Sequence, residues 1–191
     1  MIRPFVAAAV FLSAGMIPAA AQTITGVGKA DCQVVGWLEQ DADGKPLAKK
    51  DQVPAISRCR GLGEWGVYLN DASEHQGIEF SRVPVKDNDG FLWLTGFGTV
   101  VGRIEWKGPK AAAGWPDAAI FRFIWNDPDQ PDHKRTTLGV ARLGDNRATT
   151  CIFAFVEIKK GRDAYAIADK IAADEAIAHK CGPAGTPPEQ R

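Results

Sequence analysis

The chain has 191 residues, 45% of them hydrophobic, with 23 basic and 23 acidic side chains and a formal net charge of zero. That length supplies one hydrophobic core and is short for two, so a single domain is expected. Without an excess of Lys and Arg, the phosphate-neutralising term that carries most nucleic-acid affinity is missing, and a nucleic-acid partner is not expected.

The N-terminus opens Met1-Ile2-Arg3, continues as an apolar run over 5–17, reaches Pro18 and closes with Ala19-Ala20-Ala21 before Gln22. A charged start, an apolar stretch of about a dozen residues and an A-x-A site are what signal peptidase reads. Residues 1–21 are therefore expected to be a cleaved secretory signal and 22–181 a single exported domain, periplasmic or secreted. A membrane anchor needs about 20 apolar residues, and Ser13, Gly15 and Pro18 break this run first. No later stretch approaches that length, so no stable membrane insertion is expected after cleavage. No Cys stands at the cut, which argues against a lipid anchor.

Residues 22–58 are weakly patterned. Val34-Val35-Gly36-Trp37-Leu38 reads as a short strand, and the polar tract with Asp41-Ala42-Asp43-Gly44 and Lys49-Lys50-Asp51 as a loop. From Cys59 onward, strand signals alternate with turn residues: 66–69, then 77–83, then a turn at Asp87-Asn88-Asp89-Gly90 and a resumption at Phe91. Gly96, Gly98 and Gly102 interrupt what would be one long strand to Trp106, which predicts a bend or bulge. In 119–125, Phe121, Phe123 and Trp125 share one face while Ile120, Arg122 and Ile124 share the other.

The acidic stretch 126–133, with Pro128 and Pro131, reads as a surface loop. Two strands follow, 136–143 and 149–158, separated by a turn at Gly144-Asp145-Asn146. Asp163 is the predicted N-cap of a helix over 164–180, with Ala164, Ile167, Ala168, Ile171, Ala172 and Ala178 on its apolar face. His179-Lys180 before Gly182-Pro183 supplies a cationic last turn and a stop. Residues 182–191 are polar and Pro-containing, and are expected to be a disordered tail. The fold class expected is α+β: a twisted antiparallel sheet of about six strands with one C-terminal helix packed on it, and two disulfides.

All four cysteines, Cys32, Cys59, Cys151 and Cys181, follow the expected cut. An even count in an exported protein reads as two disulfides, and zinc fails on spacing because no C-x-x-C pair exists. Of three possible connectivities, element lengths select one. A strand over 151–158 advances about 23 Å and a helix over 164–180 returns about 24 Å, which brings Cys151 to Cys181 and leaves Cys32 for Cys59.

Lys29-Ala30-Asp31-Cys32, Cys59-Arg60-Gly61-Leu62-Gly63, Ile104-Glu105-Trp106, Ile120-Phe121-Arg122-Phe123, and Cys151 with Phe155-Val156-Glu157 before an Ala-rich helix ending at Cys181 together form a pattern. It resembles that of a group of small exported proteins of alphaproteobacteria. The resemblance implies a bacterial periplasmic setting and one intact domain, and it carries no functional residue across.

Histidine is the usual proton shuttle near neutral pH, and the chain has three. His179 falls in the helix last turn, where the dipole favours a cation. His75 lies in a connection, with Ser73 and Glu74 as sequence neighbours only, and His133 follows the acidic loop of Asp127, Asp129 and Asp132. That loop would suit a hard cation, but interleaved prolines and Gln read as an ordinary connection. Asp41-Ala42-Asp43-Gly44 and Asp87-Asn88-Asp89-Gly90 lack the Glu that closes an EF-hand, since Lys50 and Gly96 stand there, and both read as turns. Gly61-Leu62-Gly63-Glu64-Trp65-Gly66 matches G-x-G-x-x-G, but it precedes a strand where a nucleotide-binding loop would open a helix. Paired carboxylates such as Asp169 with Asp174 read as solvated charges. No catalytic, cofactor-binding or metal-ligating residue is assigned, and no cofactor is implied.

Of six tryptophans, most are expected in the core. Trp115, in Ala113-Gly114-Trp115-Pro116, sits in a stretch without alternation and is the candidate partner contact. The leading function is a non-enzymatic periplasmic interaction or accessory domain. A carrier of a small apolar ligand is the alternative, its pocket bordered by the glycine-interrupted strand ending at Trp106. A hydrolase using carboxylates or His75 is the third.

Overall fold

Short apolar or alternating runs between turn residues make strands the main regular element of this chain. The computed structural model describes residues 23–41, 43–71, 76–85, 91–94, 98–127, 129–182 and 188–191. The expected signal segment 1–21 with its cut before Gln22, the group Ser73, Glu74 and His75, the turn at 87–90, Gly96 and residues 183–187 of the tail lie outside the described residues.

In chain order the strands are β1 (Thr23–Gly26), β2 (Cys32–Leu38), β3 (Val53–Cys59), β4 (Gly66–Asn70), β5 (Gly77–Ser81), β6 (Leu92–Trp93), β7 (Thr99–Lys107), β8 (Ala118–Asp127), β9 (Gln130–Arg142), β10 (Cys151–Glu157) and β11 (Glu189–Gln190). One helix, α1 (Ala164–Asp174), follows β10. The strands form a six-stranded sheet in the order β1-β7-β8-β9-β10-β11 and a five-stranded sheet in the order β2-β3-β4-β5-β6. All pairings are antiparallel except β10 with β11.

The α+β class, the helix on a six-stranded sheet and both disulfides are as the sequence predicts. The second sheet is the addition, and the two faces of β8 explain it. Ile120 packs under α1 with Leu138, Val140, Ala154 and Val156. Phe121 and Phe123 face the other way and meet Val67, Leu69, Ile78 and Phe80 of the five-stranded sheet. An eleven-residue helix covers one face of a sheet, so the opposite apolar face must be buried by another layer. Trp106 lies between the sheets, 1% exposed, edge-on to Phe80 with centroids 5.8 Å apart, its indole N–H donating to Thr25 Oγ1 at 2.9 Å.

Several local expectations change. The helix ends at Asp174, not Lys180, and the chain continues in turns, with Ala176 buried in place of Ala178. The acidic stretch 126–133 is not an open loop: β8 and β9 run on into it, with Asp127 opposite Gln130. Two carboxylate hydrogen bonds tighten that end. Asp127 Oδ1 accepts the Asp129 N–H at 3.0 Å, and its Oδ2 accepts Arg135 Nε at 2.7 Å. The tail is also corrected, because Glu189 and Gln190 pair in parallel with Ala154 and Phe155 and the Arg191 N–H donates to the Phe155 carbonyl. The open edge of β10 supplies backbone groups that compensate the tail's ordering entropy. The expected bend is present at Gly102, where β7 bulges: Val101 faces Arg122, yet the next registered pair is Ile104 with Phe121.

The cysteine pairing is the one that element lengths select. Cys32 and Cys59 face each other directly across β2 and β3, and Cys151 joins Cys181 with Cα atoms 5.8 Å apart. Among the described residues, no helix is long and apolar enough to cross a membrane.

Candidate functional site

Trp115 is half exposed, 51%, and the structure shows what holds it there. A 3-10 turn over Ala111–Ala113 ends at Gly114, whose φ of 87° reverses the chain, and the Trp115 N–H donates to the Lys110 carbonyl at 3.1 Å. Gly114 presses on Gly63, also at positive φ. A Cβ on Gly63 would lie 2.8 Å from the Gly114 carbonyl oxygen, so only glycine lets the two loops meet. The glycine-rich string 61–66 thus joins the Trp65 loop to the Trp115 loop.

Arg82 completes the arrangement. Ser81 ends β5 with a tight turn, its hydroxyl donating to the Val83 carbonyl at 2.9 Å and accepting the Val83 N–H at 3.2 Å. The Arg82 guanidinium then reaches back between the two indoles, 5.2 Å from the Trp65 ring centroid and 6.0 Å from that of Trp115. Its Nη2 donates to the Asp145 carbonyl at 3.0 Å. Asp145 stands in the predicted turn, which is held by Thr150 Oγ1 accepting the Gly144 N–H and donating to the Asn146 carbonyl.

The result is an open groove of about 310 Å³ among Trp65, Arg82, Lys110, Trp115, Asp117 and Asp145. Two cations and two carboxylates balance its charge. Its titratable lining is Arg82, Lys110, Asp117 and Asp145, with no His, Cys, Ser or Thr among the described lining residues. What it presents is a half-exposed indole and an arginine steadied by a second indole, the residue types that dominate binding energy at protein interfaces.

The other sequence candidates disperse. His133 is exposed on β9, and His179 lies past α1, its ring stacked on Phe153 at 4.6 Å while its carbonyl accepts from Arg142. The Asp41 carboxylate accepts the N–H groups of Asp43 and Lys45, the turn the sequence predicts. Lys170 takes Asp174 as an ion-pair partner, while Asp169 turns to Lys107. Arg82 has no local signal in the sequence and was missed, while Trp65 is core as expected of most tryptophans, 6% exposed, and still presents its ring to the groove.

A second polar feature lies beneath α1. Glu105 is 4% exposed, and its Oε1 accepts Arg103 Nη2 at 2.9 Å while its Oε2 accepts Lys107 Nζ at 2.9 Å. Lys107 Nζ also stands 2.6 Å from Asp169 Oδ1 on α1. Burial pushes the Glu105 carboxyl up, but Lys107 and Arg103 outweigh it and hold it below the usual carboxylate value. Burial pulls the Lys107 ammonium down, and Asp169 and Glu105 reverse that and raise it.

Compared with known proteins, the chain matches no family model, no curated protein and no solved structure.

Proposed function

We propose that this protein is a non-enzymatic interaction domain of the bacterial periplasm, engaging a protein partner through the groove between Trp65 and Trp115. The observation that carries the reading is the Arg82 guanidinium held between two indoles, one of them half exposed. A monomer gains little from leaving a tryptophan in water, whereas a partner that covers Trp115 recovers its apolar area and meets a preorganised arginine. The export pattern over 1–22 and the two disulfides support the periplasmic setting.

The test is co-purification from periplasm, followed by affinity measurement with the recovered partner. Trp115→Ala and Arg82→Ala should each weaken binding by at least tenfold while leaving the thermal midpoint within a few degrees. His75→Ala, His133→Ala and His179→Ala should bind as wild type. Unchanged binding by Trp115→Ala and Arg82→Ala would sink the groove as the contact surface. Loss of binding in a well-folded His75→Ala variant would point to a chemically committed site instead.

A further inference from the structure

We propose that the recess beside the β7 bulge, which shares no lining residue with the tryptophan groove, binds a small organic monoanion with an apolar body, in its simplest form a short-chain carboxylate. The bulge makes the space. Gly102 has φ of 81°, and the backbone turning aside there opens a recess of about 520 Å³, within the roughly 300–1,000 Å³ of small-molecule sites. Two cross-strand rows form its floor on the face that carries α1: Val101, Arg122 and Leu138 in one, Glu105 and Ile120 in the next. Ile120 and Leu138 are buried, and Tyr165 from the first turn of α1 makes a wall.

Charge decides the sign of the ligand. Arg103, Lys107 and Arg122 bring three cations to this face, and Glu105 and Asp169 bring two carboxylates. Glu105 is engaged by Arg103 and Lys107, and Asp169 by Lys107. Arg122 is exposed, and among the described residues no carboxylate pairs with it. Its Nη2 lies 3.4 Å from where a Cβ on Gly102 would stand, which places the guanidinium beside the bulge at the mouth of the recess. A planar guanidinium fork matches a carboxylate in two parallel hydrogen bonds. The Tyr165 ring and the half-buried Val101 side chain take the body of the ligand. One excess positive charge selects a monoanion.

The experiment is an amide NMR titration of the disulfide-bonded protein with hexanoate, acetate, hexylamine and phosphatidylglycerol vesicles. Hexanoate should give saturable shifts centred on Gly102, Arg103 and Tyr165. It should bind at least tenfold more tightly than acetate, since each methylene that becomes buried contributes about fourfold. Hexylamine should give none. Arg122→Gln should weaken hexanoate at least tenfold with an unchanged thermal midpoint, and Tyr165→Asp, acting from the opposite wall, should do the same. The inference is overturned if hexanoate produces no saturable shift at millimolar concentration, if hexylamine produces the same shifts, or if Arg122→Gln binds as wild type. Shifts at Gly102 with vesicles alone would also overturn it, because they would assign the recess to a membrane surface.

Discussion

Tryptophan does two different jobs in this chain, and position on a strand decides which. Trp106 points between the sheets and is almost fully enclosed, with its N–H satisfied by Thr25. Trp37 points outward from β2, an edge strand, and is 51% exposed, so the expectation that most tryptophans are core fails for it. Trp125 is intermediate: its N–H donates to Thr137 Oγ1 at 2.9 Å, and Arg135 covers its ring. Truncating a buried aromatic removes transfer free energy and leaves a cavity, whereas truncating an exposed one removes little of either. Trp106→Ala should therefore destabilise the protein by about 3–5 kcal/mol, and Trp37→Ala by less than about 1 kcal/mol, read as urea midpoints of the two variants against wild type. Similar losses would show that Trp37 is covered in solution.

At the scale of elements, α1 is attached to its sheet by an apolar stripe and by one charge chain. The stripe of Ala164, Ala168, Ile171 and Ala172 is mostly small, which lets the helix lie close to β8, β9 and β10. Asp163 caps the helix by accepting the Ala166 N–H at 3.0 Å. The chain from Arg103 through Glu105 and Lys107 to Asp169 then links β7 to α1. Because the Glu105 carboxyl is held below its ordinary value of 4.5 when folded, its contribution is complete above that value and is lost as pH falls through the lower folded one. Lys107 is raised above 10.5, so its contribution is present below that value and is lost only as pH rises through the higher folded one. Removing the buried carboxylate leaves Lys107 short of a partner, so Glu105→Ala should cost about 3 kcal/mol at neutral pH. Urea unfolding of wild type and variant at a series of pH values should show that gap constant above pH 4.5 and narrowing in more acid solution. A gap independent of pH down to strong acid would mean that the loss comes from packing and not from charge.

For the whole molecule, the two disulfides constrain opposite layers. Cys32–Cys59 ties the edge strand β2 to β3, and Cys151–Cys181 ties the chain beyond α1 back to the start of β10. They close segments of 27 and 30 residues, each worth about 3.7 kcal/mol in the chain-entropy model before native strain. Replacing Cys151 and Cys181 together by Ser should lower global stability by about 3 kcal/mol. It should also speed hydrogen exchange in α1 more than in β3 and β4, because the helix loses its distal attachment while the five-stranded sheet keeps its own. Denaturant titration and exchange read by mass spectrometry check both parts. Uniform acceleration across the two sheets would show that the bridge acts only on the unfolded chain.

Much of this architecture is local in origin and so legible in residue order. Alternation in 119–125 marks β8 as buried on both faces, Asp163 and the alanine-rich stripe mark α1, and the expected strand and helix lengths select the Cys151–Cys181 pairing, although α1 stops at Asp174 and the turns after it complete the return. The glycine interruption forecasts the bulge at Gly102. The rest depends on distance through space. Which strands share a sheet, that β2 is an edge and leaves Trp37 in water, and that the end of the tail pairs with β10 follow from which surfaces remain uncovered once the layers pack. The candidate site shows the same division. Trp115 stands out in the sequence because its neighbours lack a period. Arg82 and Trp65 join it only because two positive-φ glycines let their loops touch and a turn at Asp145 anchors the guanidinium. The hydrophobic pattern of a chain determines which faces of its elements must be buried. Which side chains meet at the remaining surface is decided when the tertiary structure brings distant segments into register.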